Sequence, residues 1–321
     1  MALTQVDQGL LGTYAQYTGF KNRLINGSMA IDQRKAGASA TVSNTDSYAG
    51  IDRYSVIDYS NAATWQQLTT SPPAGFGYYG CLKRNSATSG ANILAMTQVV
   101  ESNNCRDLQS QPVTLSFWAK AGANFSAASS NITASVQTGT GTDQSAAYFR
   151  SGGWTGQATT VTSTFAITTS WVRYSITGTV SSSATQIGIQ IQFTSVGTAG
   201  ADDSLNVTGV QLEKGSTATS FDYRPYGTEF ILCQRYYQRP VTSGLNFFSG
   251  YQTAAYYGQS AYSQLPVEMR TTPTATIVTS TSNITSTANY YDSRSFQIVP
   301  TYTATGYGFF YITSLYLTAE L

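Results

Sequence analysis

Leu205-Asn206-Val207-Thr208-Gly209-Val210-Gln211-Leu212-Glu213-Lys214-Gly215 is the stretch that decides the fold. Apolar residues alternate with polar ones up to a Lys-Gly turn, the period of a β-strand and not of a helix. Ser/Thr-rich residues follow, then Phe221-Asp222-Tyr223-Arg224-Pro225, whose proline blocks continuation of a helix or a ladder. A new aromatic-rich segment opens at Cys233-Gln234-Arg235-Tyr236-Tyr237-Gln238. This order closes one β domain and starts another.

Upstream, the same period recurs. Strands are expected at residues 53–57, 64–68, 91–96, 113–120, 132–136, 171–180 and 187–193, and the body opens as a strand at 21–34 that Asn26-Gly27 kinks or turns. Ile187, Ile189, Ile191 and Phe193 share one face, with Gly188, Gln190 and Gln192 on the other, a strand half buried and half wet. Nothing between these strands is long and periodic enough for crossover helices, so the fold class is all-β, a jelly-roll β-sandwich followed by a smaller C-terminal β-sandwich. Beyond the seam, strands are expected around 245–248, 253–259, 274–279, 296–299 and 307–317, while 230–237 reads equally as a short helix or an entering strand. The domains are a leader over 1–21, a body over 22–226 and a Tyr-rich β domain over 227–321. In the leader, Leu10, Leu11, Tyr14, Tyr17 and Phe20 are too sparse for a core; it docks on its own chain, a symmetry mate or another protein.

Composition narrows the function classes. Of 321 residues only 10% are charged, against a usual quarter or so, and 41% are hydrophobic, enough to build ordered structure. Two domains suit this length, because single cores rarely grow past about 250 to 300 residues. Net charge is +1, with 17 basic and 16 acidic residues and no cationic cluster, which argues against nucleic acid. A near-neutral surface protects weakly against association, so a stable homo-oligomer is expected. No window reaches 18 apolar residues and no signal-peptide pattern opens the chain, so neither membrane insertion nor signal-directed export is expected. Cys81, Cys105 and Cys233 match no metal or redox spacing; they read as buried free thiols, with a Cys81–Cys105 disulfide as the alternative.

Five motifs then occur in order: Asn22 to Arg34 (NRLINGSMAIDQR), Gly50 with Asp52-Arg53-Tyr54, Ser116 to Lys120 (SFWAK), Trp171 with Arg173-Tyr174, and the GVQLEKG strand. The set, over residues 22–238, resembles tailed-bacteriophage and prophage virion proteins of the tail-fibre type, in which a carbohydrate-module-like jelly roll ends in such a strand and is followed by CQRYYQ. Residues 265–274 and the ending Ala319-Glu320-Leu321 resemble the same group's C-terminal β domain. The resemblance implies a homotrimer on the virion exterior, made in the bacterial host cytoplasm. It would be joined to other virion proteins through its leader, and it would contact host surface polysaccharide without catalysis. A head decoration or head-fibre protein, and a polysaccharide depolymerase, are the alternative readings.

The chemistry available is narrow. The chain has no histidine, which removes Ser-His-Asp, Cys-His and His-metal catalysis. Glycoside hydrolysis needs only two carboxylates, but no spacing marks a pair and no β-helix repeat is present, so no enzyme is expected. Sugar recognition lays aromatic faces on pyranose rings with amides and hydroxyls at the rim. Tyr78, Tyr79 and Trp154, in Gly-rich loops, are candidates on that ground, with loop packing as the competing reading. Fourteen of the 23 tyrosines lie from Tyr223 onward, suiting a subunit interface or a receptor surface, with Tyr251, Tyr256 and Tyr257 expected to be exposed. Trp118 and Trp171 are expected in the core. Asp202 and Asp203 are candidates for a structural Ca²⁺, or a solvated loop pair; no other cofactor is expected.

Overall fold

The computed structural model describes residues 20–45, 47–59, 62–241, 244–252, 261–303 and 305–321. The chain divides into two compact units, one running through Glu229 and including Leu321, the other Phe230–Glu320.

The first unit holds β1 (Ala40–Val42), β2 (Ser55–Asp58), β3 (Ala63–Leu68), β4 (Tyr79–Arg84), β5 (Ile93–Val100), β6 (Pro112–Ala121), β7 (Asn131–Gly139), the helix α1 (Ala146–Ser151), β8 (Ala158–Ala166), β9 (Val172–Thr179), β10 (Gln186–Thr194) and β11 (Ser204–Lys214). They form two antiparallel sheets, ordered β1-β3-β4-β11-β6-β9 and β2-β5-β10-β7-β8, between which the chain crosses repeatedly, a jelly-roll sandwich. Alternation decides what lies between the sheets: Phe117, Ala119 and Ala121 of β6 and Leu205 and Val207 of β11 meet Ile187, Ile189, Ile191 and Phe193 of β10 in one core.

Two expectations need correction here. The outer face of β10 is not wet: Gly188 lies beneath Phe149 of α1, and Gln190 is buried. The segment 21–34 is no regular strand. On one edge of β11, β4 pairs only as far as Val207 opposite Gly80, and β11 then bulges between Thr208 and Gln211. Residues 22–27 occupy the edge that β4 leaves. Arg23 N donates to Leu212 O (2.8 Å), Val210 N to Gly27 O (2.9 Å), and Asn22 both accepts from Leu212 N (3.1 Å) and donates to Val210 O (2.9 Å). Gly27 is required there, because a β-carbon would stand 2.1 Å from Val210 O.

Buried polar groups fasten this segment. Asp222 accepts from Lys21 N (2.8 Å) and Asn22 N (3.1 Å), and its own amide donates to Gln211 Oε1 (2.7 Å). Gln211 in turn donates to Glu213 (2.8 Å), which also takes the Thr219 amide and hydroxyl. Gln98, buried in β5, exchanges both amide bonds with the backbone of Ile25 (2.7 and 2.8 Å). Arg224 bridges Glu229 (3.1 Å) and the carbonyls of Leu24 and Asn22, and Asn26 N donates to the same Glu229. Further on, Asn26 holds Ile31 and Asp52 O, and Asp52 accepts from Gln33 and pairs with Arg34 at 3.1 Å.

Glu229 lies in α2 (Tyr226–Gln234), the helix that opens the seam. The second unit continues with β12 (Tyr237–Val241), β13 (Leu245–Gln252), β14 (Ala261–Gln264), β15 (Thr274–Ser282), β16 (Ile284–Tyr291), β17 (Ser295–Tyr302) and β18 (Gly306–Thr318). The long β18 pairs with β12 and β13 on one edge and β15 on the other, while β14-β17-β16 make a second sheet. Phe296 and Ile298 from one sheet and Phe310, Ile312, Leu315 and Leu317 from the other share a core, a small sandwich. The strand expected at 253–259 and most of the leader lie outside the described residues.

Gly27→Ala is expected to destabilise the protein by about 1–3 kcal/mol through overpacking against Val210 O. A denaturant titration checks it; an unchanged midpoint would show that the edge is not tightly filled.

Candidate functional site

The outer face of the six-stranded sheet carries the polar parity of its strands. Register sets Thr64 beside Lys83 and Gln66 beside Cys81, places Asn206 between Cys81 and Lys120, and Trp118 beside Arg173. Thr64, Gln66, Leu68, Tyr79, Cys81, Lys83, Lys120, Thr169, Asp202 and Asn206, with the turn Ala121-Gly122-Ala123, line a pocket of about 370 Å³. Small-molecule sites span roughly 300–1,000 Å³.

Tyr79 is the one aromatic residue among those lining the pocket, and Trp171 packs against it. Trp171 meets Tyr79 edge-on with centroids 5.3 Å apart, and its indole N–H donates to Ser71 O (2.9 Å). Lys120 Nζ lies over both rings, 5.3 Å from the Tyr79 centroid and 4.9 Å from that of Trp171, in cation–π range. Asp202 stands at another side, accepting from Ala123 N (3.0 Å) and Ser204 Oγ (2.8 Å). Burial pushes its carboxyl up, but the Ala123 amide, the Ser204 hydroxyl, Lys83 and Lys120 together hold it below the ordinary value of 3.8. Gly122 permits the contact, since a β-carbon there would meet Asp202 O at 2.3 Å. The Cys81 thiol is pushed up to about 11, chiefly by burial, and is neutral at physiological pH.

Of the residues singled out from sequence, Tyr79 and Asp202 come together in this pocket; the others do not. Tyr79 belongs to β4 and not to a Gly-rich loop, whereas Tyr78, partly exposed, precedes that strand and is not among the lining residues. Trp154 is buried, correcting its reading as a loop contact: its indole donates to Ser145 O (3.0 Å) and its ring packs on Phe149 at 4.8 Å. Asp203 does not join Asp202. Its carboxylate forms a fully buried ion pair with Arg84 (2.9 Å) and accepts from Ser126 N (2.9 Å). With Asp203 committed in this way the pair does not fit a Ca²⁺ site, and no group of three or more His, Cys, Asp or Glu among the described residues is placed to hold a metal. Tyr251 is exposed in the second unit, 5.2 Å from Tyr307. Tyr256 and Tyr257 lie outside the described residues. Cys81, Cys105 and Cys233 are buried free thiols.

Trp118 and Trp171 are not core residues but stand half-buried on the outer face. Strand parity signals this: Phe117, Ala119 and Ala121 point inward, so Ser116, Trp118 and Lys120 point out. The same parity marks Lys83, Gln66 and Asn206, which composition alone did not single out. Beside this face, Phe76, Phe221 and Tyr223 form a second aromatic cluster with centroids 4.9–5.5 Å apart, closed by Tyr223 Oη donating to Gly75 O (2.8 Å).

No sequence model of a protein family matches the chain, and no curated protein sequence matches it. Among solved structures it is similar to one described as "CBM4 structure and function" (12% identity, TM-score 0.33, 59% of this chain and 98% of that one). A TmCBM61 structure in complex with β-1,4-galactotriose is similar at 12% identity and a TM-score of 0.35, over 61% of this chain and 99% of that one. The enzymatically active domain of bacteriophage CBA120 tailspike protein 4 is similar at 14% identity and a TM-score of 0.36, over 60% of this chain but only 21% of that one.

Two outcomes are expected. Asp203→Ala leaves Arg84 buried without its partner and lowers stability by about 3–5 kcal/mol in denaturant titration. For Asp202, whose folded pKa is depressed, the stabilisation is complete above 3.8 and is lost as pH falls through the lower folded value. The gap in melting temperature between wild type and Asp202→Asn is therefore expected to hold steady from about pH 7 to about pH 5 and to close below about pH 4.

Proposed function

We propose that the pocket on the six-stranded sheet binds saccharide, and that the chain is a non-catalytic receptor-binding component of a phage particle, of the tail-fibre type. The observation that carries this reading is that Tyr79, packed edge-on against Trp171, lines one pocket together with the Gln66, Asn206, Thr64 and Thr169 groups. Aromatic carbon surface beside amides and hydroxyls is the combination a pyranose ring needs. The placement on a virion rests on the ordered motifs of the first unit. A binding rather than a hydrolytic role is supported by the pocket wall, where Asp202 is the one carboxylate among the lining residues, whereas the usual hydrolytic mechanism uses two.

Trp171→Ala is expected to weaken binding to purified host surface polysaccharide about tenfold, roughly 1.4 kcal/mol, without release of reducing sugar by either form. Titration calorimetry and a reducing-end assay read the two. Binding unchanged in Trp171→Ala would remove the pocket from the reading, and steady sugar release would make the protein an enzyme.

The second unit supports the oligomeric part of the proposal. Strands β13 to β18 contain no Asp, Glu, Lys or Arg, and Tyr251, Tyr307, Phe309 and Tyr311 are exposed on one face of the β13-β18 ladder. A face without charge has no electrostatic means of selecting a charged partner, and copies with a net charge of +1 repel weakly, so a second copy of this chain is the occupant it fits. Light scattering is expected to give a multiple of 34.4 kDa, three for a trimer, that falls toward the monomer on Tyr307→Lys. A monomer mass for the wild type at micromolar concentration would overturn it.

A further inference from the structure

The charges in the pocket are unbalanced. Lys83 and Lys120 both line it, and Asp202 is the one acidic residue beside them. That carboxylate is already engaged by Ala123 N and Ser204 Oγ, and its charge answers two ammonium groups. Among the described residues neither lysine forms an ion pair or a side-chain hydrogen bond; Lys120 rests instead over the rings of Tyr79 and Trp171. The neutral Cys81 thiol between them adds no negative charge. A surplus cation is thus held at the Tyr79 side of the pocket, where a ligand bound there would meet it.

We propose that this pocket selects an anionic saccharide, one bearing a uronate carboxylate or an ester sulfate, with Lys120 and Lys83 as the residues that receive the anion. The inference rests on the saccharide reading above and narrows it. The ring of the sugar lies toward Tyr79, and its anionic substituent takes the ammonium positions while Gln66 and Asn206 hold hydroxyls. On a chain with a net charge of +1 there is little general attraction for polyanions, so selection must come from this local pair. The contacts are solvent-accessible, and salt therefore weakens them.

The test is a glycan array carrying uronate, sulfated and neutral saccharides, probed with the full chain and followed by calorimetry on the strongest hit. Retained glycans are expected to be anionic; hits confined to uronates or to sulfated sugars tell the two anion sources apart. Carboxyl reduction or desulfation of the hit is expected to cost at least tenfold in affinity, as are Lys120→Gln and Lys83→Gln, with circular dichroism confirming that both variants fold. Lys83→Gln reports on the anion without touching the aromatic wall, should Lys120→Gln disturb Trp171. Neutral glycans bound as well as anionic ones, with affinity unchanged in both lysine variants, would overturn the anionic selection and leave saccharide binding standing. An array with no hit of any class would overturn both.

Discussion

The first unit depends on how one strand edge is filled. β11 lies at the centre of the six-stranded sheet, yet β4 pairs with it only to Val207, which leaves the backbone groups of Val210 and Leu212 without a strand partner on that edge. Backbone donors and acceptors left bare there, inside the molecule, would each cost the price of desolvation. Residues 22–27 satisfy them, and the side chains of Asn22, Gln98, Gln211, Glu213, Asp222, Arg224 and Glu229 fix that segment from the remaining directions. Because these groups are buried or half-buried and mutually bonded, removing one leaves others unsatisfied, so the segment behaves as a unit.

This closure has consequences across the sheet. It carries the chain past the end of β11 to Phe221 and Tyr223, which pack on Phe76 and secure the loop before β4. Ser71 in that loop accepts the Trp171 indole, and Trp171 meets Tyr79 at the pocket wall. At the pocket's other side, Asp202 sits one residue before Asp203, which is locked to Arg84 in the core. In the turn before β11, Asp202 is thereby held toward the pocket while its neighbour is held facing in. The pocket is framed by groups whose other ends are fixed in the interior.

The two sheets of the first unit treat their outer faces differently. On the five-stranded sheet, Phe149 of α1 covers Gly188 and Gln190 is buried, so polar parity there is largely withdrawn from solvent. On the six-stranded sheet the same parity stays open and carries Gln66, Lys83, Lys120 and Asn206. Strand alternation says which residues share a face; it does not say which face is roofed. Trp154 shows the cost of that gap: a Gly-rich loop reads as exposed, but the loop folds its tryptophan onto Phe149 beneath the same roof.

By itself the sequence determined that the molecule is nearly all β and that Ile187, Ile189, Ile191 and Phe193 of β10 face a core, because a period of two is a local property of the chain. The motifs from Asn22 to Arg34 and from Gly209 to Gly215 stood out as well, although their reason, a shared edge with Gly27 against Val210 O, is not local. Tertiary structure alone decided the site. Tyr79 and Lys83 come from β4, Lys120 from β6, Trp171 from the residue before β9 and Asp202 from the turn before β11, and only the antiparallel register of β3, β4, β11, β6 and β9 makes them neighbours. Register depends on turns, bulges and long-range pairing, quantities that the alternation within any single strand does not contain.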